Sequence, residues 1–252
     1  MKLILSPRYE ALRPFILTLP RLMAQGEGAT IHDGRNLIKT FTAPGGLLLN
    51  VKRYHRPTGP NLLVYSSSLR QPKGLRAYRY ATLLLSRDVP TPEPVAYLEE
   101  RNHFRLLRYS YFVSIHCPYA HRFYEFGQAD ETVWQPVATA FACFTAHMHD
   151  QGILHRDYSP GNILWQQADD GTIQFSVVDI NRMRIAPVDI NRGCSNFARL
   201  WGPKAMIIHI VRTYAACRDF NPDQAEQIAL TARARFWKRF SRRHTVKFPL
   251  EL

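Results

Sequence analysis

Long apolar runs are missing from this chain of 252 residues. A membrane-spanning helix needs a stretch of about 18 or more apolar residues, and no stretch approaches that length. The N-terminal apolar run is too short for the core of a signal peptide. These absences predict a protein that stays in the cytoplasm and does not cross a membrane.

Paired cysteine motifs are also missing. The four cysteines, Cys117, Cys143, Cys194 and Cys217, form no C-x-x-C pair, which argues against a zinc site. In a reducing compartment cysteines remain thiols, so we expect reduced and mostly buried side chains.

Acidic residues are scarce relative to basic ones. Thirty-three Lys and Arg residues against 20 Asp and Glu residues give a formal net charge of +13. This excess predicts an anionic partner: nucleotide phosphates, an anionic membrane surface or nucleic acid. No readout motif for nucleic acid accompanies the charge, so we expect no nucleic-acid partner. With 46% hydrophobic residues, the chain should form one large domain or two lobes that share a cleft.

One stretch carries most of the chemistry. His155-Arg156-Asp157 is followed by Asn162, five residues after the aspartate, a spacing typical of the catalytic loop of phosphoryl-transfer enzymes. The Asp157 carboxylate would orient a substrate hydroxyl and accept its proton. Asp179 ends an apolar run, where such enzymes keep a magnesium-binding aspartate. Because Mg²⁺ prefers hard oxygen ligands, Asn162 and Asp179 are the predicted metal ligands.

The spacing of apolar residues places these two ligands at the ends of a hairpin. Strands are predicted at Ile163–Trp165 and Ile173–Val178, with a turn at Asp169-Asp170-Gly171 between them. The five-residue sequence that contains Asp179, Val178-Asp179-Ile180-Asn181-Arg182, recurs at Val188-Asp189-Ile190-Asn191-Arg192. No strand leads into Asp189, so we choose Asp179 as the ligand and interpret the repeat as chance.

The N-terminal half has strand character. An amphipathic helix is predicted from Tyr9 to near Pro20, and three short strands follow at Thr30–His32, Leu37–Phe41 and Leu47–Tyr54. The third strand contains Lys52 in a setting similar to the strand lysine that holds the α- and β-phosphates of ATP; the alternative is a solvent-facing strand residue. No G-x-G-x-x-G motif supports a nucleotide site.

A carboxylate partner for Lys52 is not evident. The helix predicted over Leu75–Leu85 is the expected place for a glutamate that pairs with the strand lysine, yet no acidic residue occurs between Lys52 and Asp88. Three explanations remain open: Lys52 is held differently, the chain is weakly active, or another carboxylate takes the place, with Glu10, Glu93 and Glu99 as candidates.

The C-terminal half is predicted to be mainly helical. Helices are expected from Asp130 to Gly152, from Pro203 onward and over Pro222–Phe240. His147 and His149, near the end of the first helix, are interpreted as exposed residues rather than metal ligands. The last helix ends in alternating basic and aromatic residues. It could lie on a membrane surface, or its aromatic residues could pack on the core: Phe236, Trp237 and Phe240.

Together these motifs resemble a kinase-like fold, and the closer resemblance is to the lipopolysaccharide kinase family, which phosphorylates Kdo or heptose sugars. It covers about Thr30–Trp237 and rests on four stretches: His155–Leu164, Asp179–Arg184, Asn196–Trp201 and Leu83–Pro94. The resemblance implies an α+β, bilobal, protein-kinase-like fold. Its parts would be an N-terminal lead-in (1–29), a β-rich N-lobe (30–117) and a helical C-lobe (118–252).

Three details favour an acceptor that is not a protein. Ser159 stands where protein kinases acting on Ser or Thr usually carry a lysine, and Pro160-Gly161-Asn162 resembles the Pro-x-Asn loop of sugar and small-molecule kinases. No Ala-Pro-Glu motif follows Asp179.

The resemblance therefore implies an ATP- and Mg²⁺-dependent kinase that acts on a sugar hydroxyl of a lipopolysaccharide precursor. It would work in the cytoplasm, peripherally at the inner membrane. Asp157, with His155 and Arg156, would form the catalytic group; Asn162 and Asp179 would hold Mg²⁺; Lys52 would contact ATP. The alternatives are a kinase-like enzyme acting on a protein or small metabolite, and a non-catalytic kinase-like binding protein.

Overall fold

The computed structural model describes residues 1–67 and 69–252, and it divides the chain into two compact units, Met1–Pro118 and Tyr119–Leu252. The first unit is rich in β-strand and the second is mainly helical. The predicted α+β class, with the strands first, is therefore confirmed. Within the described residues, no helix is long and apolar enough to cross a bilayer.

A six-stranded antiparallel sheet forms the first unit, with the strand order β1-β5-β6-β4-β3-β2. The three strands predicted after residue 29 are confirmed as β2, β3 and β4. The elements of this unit are β1 (Lys2–Leu5), α1 (Arg13–Ala24), β2 (Ala29–Asp33), β3 (Leu37–Thr42), β4 (Leu48–Tyr54), α2 (Pro60–Ser66), α3 (Lys73–Leu85), β5 (Pro94–Arg101) and β6 (Leu107–Ile115).

The two elements that precede β2 belong to the packing of this sheet. Strand β1 pairs with β5, and α1 buries Ile16, Leu19 and Met23 in the core that covers one face of the sheet. The prediction that the helix ends near Pro20 was wrong, because α1 continues to Ala24 with Pro20 inside it. Pro20 is buried. The free energy gained by packing this face offsets the cost of the hydrogen bond that a proline removes from a helix.

Lys52 lies on the opposite face of the sheet from α1. Side chains alternate along a strand, and the neighbouring residue Val51 belongs to the α1 core. Lys52 pairs with Phe112, which pairs with Tyr97, so these three side chains form one cross-strand row. The amide of Gly74 in α3 donates to the Ser110 hydroxyl at 3.4 Å. Ser110 lies two residues before Phe112, on the same side of β6, so α3 covers this face.

The second unit contains two small sheets and four α-helices in its described residues. The predicted helices around 131–150, 204–217 and 222–240 are confirmed. Its elements are β7 (His121–Arg122), α4 (Glu131–Asp150), β8 (Ile153–His155), β9 (Ile163–Gln167), β10 (Ile173–Val177), β11 (Met183–Ile185), α5 (Ile190–Ser195), α6 (Lys204–Cys217) and α7 (Pro222–Phe240).

Phe141 of α4 lies at the centre of the aromatic core of this unit. Its ring centroid is 4.3 Å from that of Phe123 and 5.5 Å from those of Tyr158 and Phe175. Tyr158 comes from the segment after β8 and Phe175 from β10. Helix α4 therefore supports both halves of the loop region in which the predicted site residues lie.

Helix α7 turns its aromatic residues toward the protein. Trp237 is buried and stands 5.1 Å, ring to ring, from Phe248, while Phe236 and Phe240 are half-buried. Of the two interpretations of this helix, packing on the core is the one that the structure supports for Trp237. The guanidinium of Arg233, which is also buried, donates to the carbonyl oxygens of Leu200 and Gly202 at 2.6 and 3.1 Å.

Candidate active site

Strand pairing brings the two predicted halves of the site together. β8 ends at His155, which lies opposite Met183 of β11, and the β9–β10 hairpin ends with Val177 opposite Ile163. The amide of Val178 donates to the carbonyl oxygen of Asn162 at 3.0 Å. Asn162 therefore lies next to the strand end from which Asp179 emerges, and the predicted hairpin is confirmed.

The His155 side chain is fully buried and joins the two loops. Its Nε2 lies 2.9 Å from the Val178 carbonyl oxygen, and its Nδ1 lies 3.1 Å from the amide nitrogen of Asp157. A carbonyl accepts only and an amide N–H donates only, so Nε2 carries the proton and Nδ1 accepts. Burial lowers the pKa of His155, which keeps the ring in this neutral form.

Asp157 is held at its backbone and at its carboxylate. Its carbonyl oxygen accepts from Asn162 Nδ2 at 2.8 Å. Its carboxylate Oδ1 forms an ion pair with Arg199 Nη1, while 29% of the side chain remains exposed. A carboxylate that is fixed in this way and open to solvent can meet an incoming hydroxyl. Arg156 is exposed, and its amide bonds the Arg182 carbonyl at 3.3 Å.

Asn162 and Asp179 present oxygen atoms of the kind that magnesium prefers. Asn162 uses its Nδ2 to bond Asp157, which leaves the amide oxygen as its metal-binding group. Asp179 adopts a left-handed backbone with φ 55° and accepts a 2.6 Å bond from Asn181 Nδ2. Within the described residues, no three His, Cys, Asp or Glu side chains cluster as a metal site.

A buried hydrogen-bond network supports the loop from behind. The Tyr214 hydroxyl lies 2.8 Å from His149 Nδ1, His149 Nε2 lies 3.2 Å from Asn196 Oδ1, and Asn196 Nδ2 donates to the His155 carbonyl at 3.0 Å. Burial lowers the pKa of His149 to about 3, so the ring is neutral and donates from Nε2 to the amide oxygen. Tyr214 then donates to Nδ1.

The prediction that both histidines near the end of α4 are exposed was wrong for His149. His147 is exposed, but His149 is only 1% exposed. The signal was present in the sequence, because His149 continues the helical stripe of Phe141 and Thr145, two buried residues at intervals of four. Thr145 itself bonds the buried Tyr158 hydroxyl at 2.9 Å and so anchors the catalytic loop to α4.

Arg199 was not among the predicted site residues. It ends a short helical turn that begins at Asn196, so the two residues that bind the loop come from one segment. The Arg199 guanidinium carbon lies 5.2 Å from the ring centre of Phe236, on α7, a cation–π arrangement. Arg199 lies in one of the stretches that carry the family resemblance, Asn196–Trp201, but the sequence does not indicate its contact with Asp157.

Lys52 belongs to the first unit, and the glutamates proposed as its partner are engaged by other residues there. Lys52 Nζ lies 5.4 Å from the ring centre of Tyr54. Glu99 lies on the Lys52 face of the sheet but is buried and bonded to Tyr97 and Arg101. The two remaining glutamates are also paired with arginines, Glu10 with Arg13 and Glu93 with Arg8.

Comparison with protein families gives a match over most of the chain. A family model described as "Lipopolysaccharide kinase (Kdo/WaaP) family" matches residues 41–200, a range that contains all the predicted site residues. No curated protein matches the sequence.

Comparison with solved structures supports the kinase-like fold. A structure described as "WaaP in complex with acyl carrier protein" has 17% identity and a TM-score of 0.62, and the match covers 96% of this chain and 99% of that one. The Rio2 kinase from Chaetomium thermophilum, in an ADP/Mg²⁺-phosphoaspartate complex, has 14% identity and a TM-score of 0.49, with 93% and 78% covered. The first of these likenesses confirms the predicted fold class.

Proposed function

The chain belongs to the lipopolysaccharide kinase (Kdo/WaaP) family, and we propose that it transfers the γ-phosphoryl group of ATP to a sugar hydroxyl, of Kdo or heptose, in a lipopolysaccharide precursor. The predicted family is thereby confirmed, and the chain is a phosphotransferase with an alcohol group as its acceptor. The observation that carries the rest of the proposal is the fixed, partly exposed Asp157 carboxylate beside Asn162.

In the proposed reaction, Asp157 orients the acceptor hydroxyl and takes its proton. The hydroxyl oxygen attacks the γ-phosphorus, the bond from that phosphorus to the β,γ-bridging oxygen breaks, and ADP leaves. Catalysis of this kind is mostly positioning and charge stabilisation. The bond from Asn162 Nδ2 to the Asp157 carbonyl fixes the loop in which the carboxylate lies.

We assign His155 and Arg156 different parts in this reaction. His155 is fully buried, so we propose that it positions Asp157 and Val178 through its two ring nitrogens. Arg156 is exposed one residue before the base, and we propose that it attracts an anionic acceptor. Lys52 is the proposed ligand of the α- and β-phosphates of ATP.

The oxygen atoms of Asn162 and Asp179 fit Mg²⁺, which usually takes one or two carboxylates and completes its shell with phosphate oxygens and water. When bound, the ion would neutralise charge on the phosphates. Asn181 would position the Asp179 ligand, because its Nδ2 donates to the Asp179 carboxylate at 2.6 Å.

The function is tested by incubating the protein with Mg²⁺, ATP and a lipopolysaccharide precursor and locating the phosphate by mass spectrometry. Asp157→Asn keeps the shape of the side chain but removes the base, so it should abolish transfer while the protein still folds. Asp169→Asn changes an exposed aspartate in the hairpin turn and is the matched control. Transfer that survives in Asp157→Asn would reject the assignment, and transfer to protein only would favour another acceptor.

We also propose that the protein works at the cytoplasmic face of an anionic membrane through a C-terminal basic surface. This surface consists of the exposed cations at the end of α7 and just beyond, and the sequence has no acidic residue between Glu226 and Glu251. Trp237 of α7 is buried in the protein, so we propose that the attraction of this surface to the membrane is electrostatic and sensitive to salt. The residues are Arg235, Lys238, Arg239, Arg242, Arg243 and Lys247.

Vesicle sedimentation tests this surface. The protein should bind vesicles that contain phosphatidylglycerol and should not bind pure phosphatidylcholine vesicles. Reversing three cations of the surface (Arg239→Glu, Arg242→Glu and Arg243→Glu) should abolish binding. The same charge change on exposed residues of the first unit (Arg21→Glu, Arg35→Glu and Arg56→Glu) should not. Equal loss in both variants would mean that net charge, and not this surface, drives binding.

A further inference from the structure

Two cysteines that are far apart in the sequence meet on the surface of the second unit. Cys143 lies on α4 and Cys217 is the last residue of α6. Their Sγ atoms are 3.2 Å apart although 74 residues separate them, and both side chains are exposed. The expectation of mostly buried thiols was therefore wrong for this pair. It holds for Cys194, which is buried, while Cys117 is half-buried.

The two sulfur atoms are close enough to become a covalent pair with small side-chain adjustments. A disulfide has an S–S length of about 2.05 Å, so the Sγ atoms need to approach by only about 1.2 Å. The contact joins helices that already pack side by side, as shown by the 2.7 Å bond between Thr139 of α4 and His209 of α6. Closing the bond does not require the two helices to be brought together first.

The environment gives the two thiols different roles. Partial desolvation of this exposed thiol, followed by the contact with Cys143, raises the pKa of Cys217 to about 11. Cys217 therefore keeps its proton at neutral pH and can donate its S–H to the other sulfur. The thiolate is the nucleophile in exchange with disulfides, and we assign the first attack to Cys143.

We propose that Cys143 and Cys217 form a thiol-oxidation site at which a small-molecule disulfide converts the pair into an intramolecular disulfide between α4 and α6. Cys143 gives its proton to water, its thiolate attacks one sulfur of the small disulfide, and the small thiolate that leaves takes up a proton. Cys217 then gives its proton to water and attacks the Cys143 sulfur, and the second small thiol leaves. Two protein thiols are oxidised, and one small disulfide is reduced to two thiols.

The location gives the cross-link a structural consequence. α4 supports the catalytic loop through Thr145 and Tyr158, and α6 carries Tyr214, which bonds His149. A bond between the two helices limits how far they separate in the unfolded chain, which stabilises the folded state. The oxidised protein should therefore unfold at a higher temperature than the reduced protein.

The site is tested on the full-length protein equilibrated with oxidised and reduced glutathione. When the oxidised wild type is then denatured, only two of its four cysteines should still react with maleimide. Non-reducing peptide mapping should find one linked peptide pair that contains Cys143 and Cys217. The melting temperature should rise by several degrees and return when dithiothreitol is added.

Variants distinguish this pair from other chemistry. Cys143→Ser and Cys217→Ser should each lose the linked peptide and the thermal shift, whereas Cys117→Ser should keep both. A linked pair that includes Cys117 or Cys194, linkage only between two copies of the chain, or glutathione adducts without a cross-link would each overturn the proposal. Because the readouts are covalent mass and unfolding, failure of the kinase assignment would leave this test unaffected.

Discussion

Arg199 forms an ion pair with Asp157, 42 residues earlier in the chain. Arg199 is in turn held from both sides. The ring of Phe236 lies beneath its guanidinium, and Leu200, the next residue, is tied by its carbonyl to the buried Arg233 at 2.6 Å. The proposed catalytic carboxylate is thus oriented by a residue whose own position depends on α7.

The first prediction concerns this orientation. Arg199→Ala removes the partner that fixes the Asp157 carboxylate, so kcat should fall by about 10- to 100-fold, since misplacement of a catalytic group by about 1 Å has effects of that size. The KM for ATP should change little. Arg199→Lys keeps the charge and should recover part of the rate. Steady-state kinetics with varied ATP separate the two parameters.

Arg192→Ala is the matched control for Arg199. Arg192 pairs with Asp189 at 3.3 Å on the exposed side of α5, so its removal should leave kcat unchanged. A loss in Arg192→Ala equal to that in Arg199→Ala would show a general effect of surface charge. A normal rate in Arg199→Ala would show that the loop orients Asp157 without help.

Local patterns in the sequence predicted the elements whose apolar residues recur regularly. They also led to Asp157, Asn162 and Asp179 as candidate site residues, and the structure brings the segments that carry them together. β1 and α2 were missed for a physical reason. Lys2–Leu5 is only four residues long and is a strand because β5 pairs with it, and α2 is a seven-residue helix. Elements this short depend on tertiary contacts more than on their own propensity.

Local sequence patterns do not predict contacts between distant segments. Three contacts join distant segments: Arg199 with Asp157, His149 with Tyr214, and Cys143 with Cys217. They form only because α4, α6 and the turn that follows α5 fold around the catalytic loop. His149 was assigned to the surface because polar residues near helix ends usually lie there. The structure buries it because Tyr214 and Asn196 satisfy both ring nitrogens, which removes most of the cost of burial.

The second prediction tests which of the two repeated aspartates binds the metal. Asp179→Asn should abolish the Mg²⁺-dependent part of ATP binding, measured by isothermal titration calorimetry with and without Mg²⁺. Asp189 caps α5 by accepting from the amide of Arg192 at 2.8 Å. Asparagine caps helices equally well, so Asp189→Asn should bind ATP like the wild type. The opposite pattern would assign the metal to Asp189.

The third prediction concerns the space that Gly193 leaves for Tyr214. A Cβ atom at position 193 would lie 2.0 Å from the Tyr214 hydroxyl oxygen. Gly193→Ala should therefore displace the tyrosine from His149 and lower the free energy of unfolding by about 1–3 kcal/mol, the usual cost of overpacking. Urea denaturation measures this change.

Tyr214→Phe removes the atom that the new methyl group would strike. Gly193→Ala combined with Tyr214→Phe should thus cost less than the sum of the two single substitutions, because the two residues touch. Arg192→Ala, a substitution at the neighbouring exposed position of α5, should cost at most about 1 kcal/mol. Additive costs in the double variant would mean that Gly193 does not serve to accommodate Tyr214.

The fourth prediction is a pH dependence of stability that arises from His149. Burial lowers the pKa of His149 to about 3 in the folded protein, whereas an unfolded histidine titrates near about 6.5. Between these values the unfolded chain binds a proton that the folded chain does not bind. The free energy of unfolding should therefore be greatest above about pH 7 and should decrease as the pH falls below about 6.5.

The slope of this dependence distinguishes buried from exposed histidines. Each buried neutral histidine contributes up to about 1.4 kcal/mol per pH unit, and burial lowers the pKa of His155 as well. In His149→Gln the free energy of unfolding should therefore change less steeply between pH 6.5 and 5, by the contribution of one histidine. Urea unfolding at several pH values measures this slope. His147→Gln changes the exposed histidine on the same helix and should keep the wild-type slope. An unchanged slope in His149→Gln would mean that His149 is not held neutral between Tyr214 and Asn196.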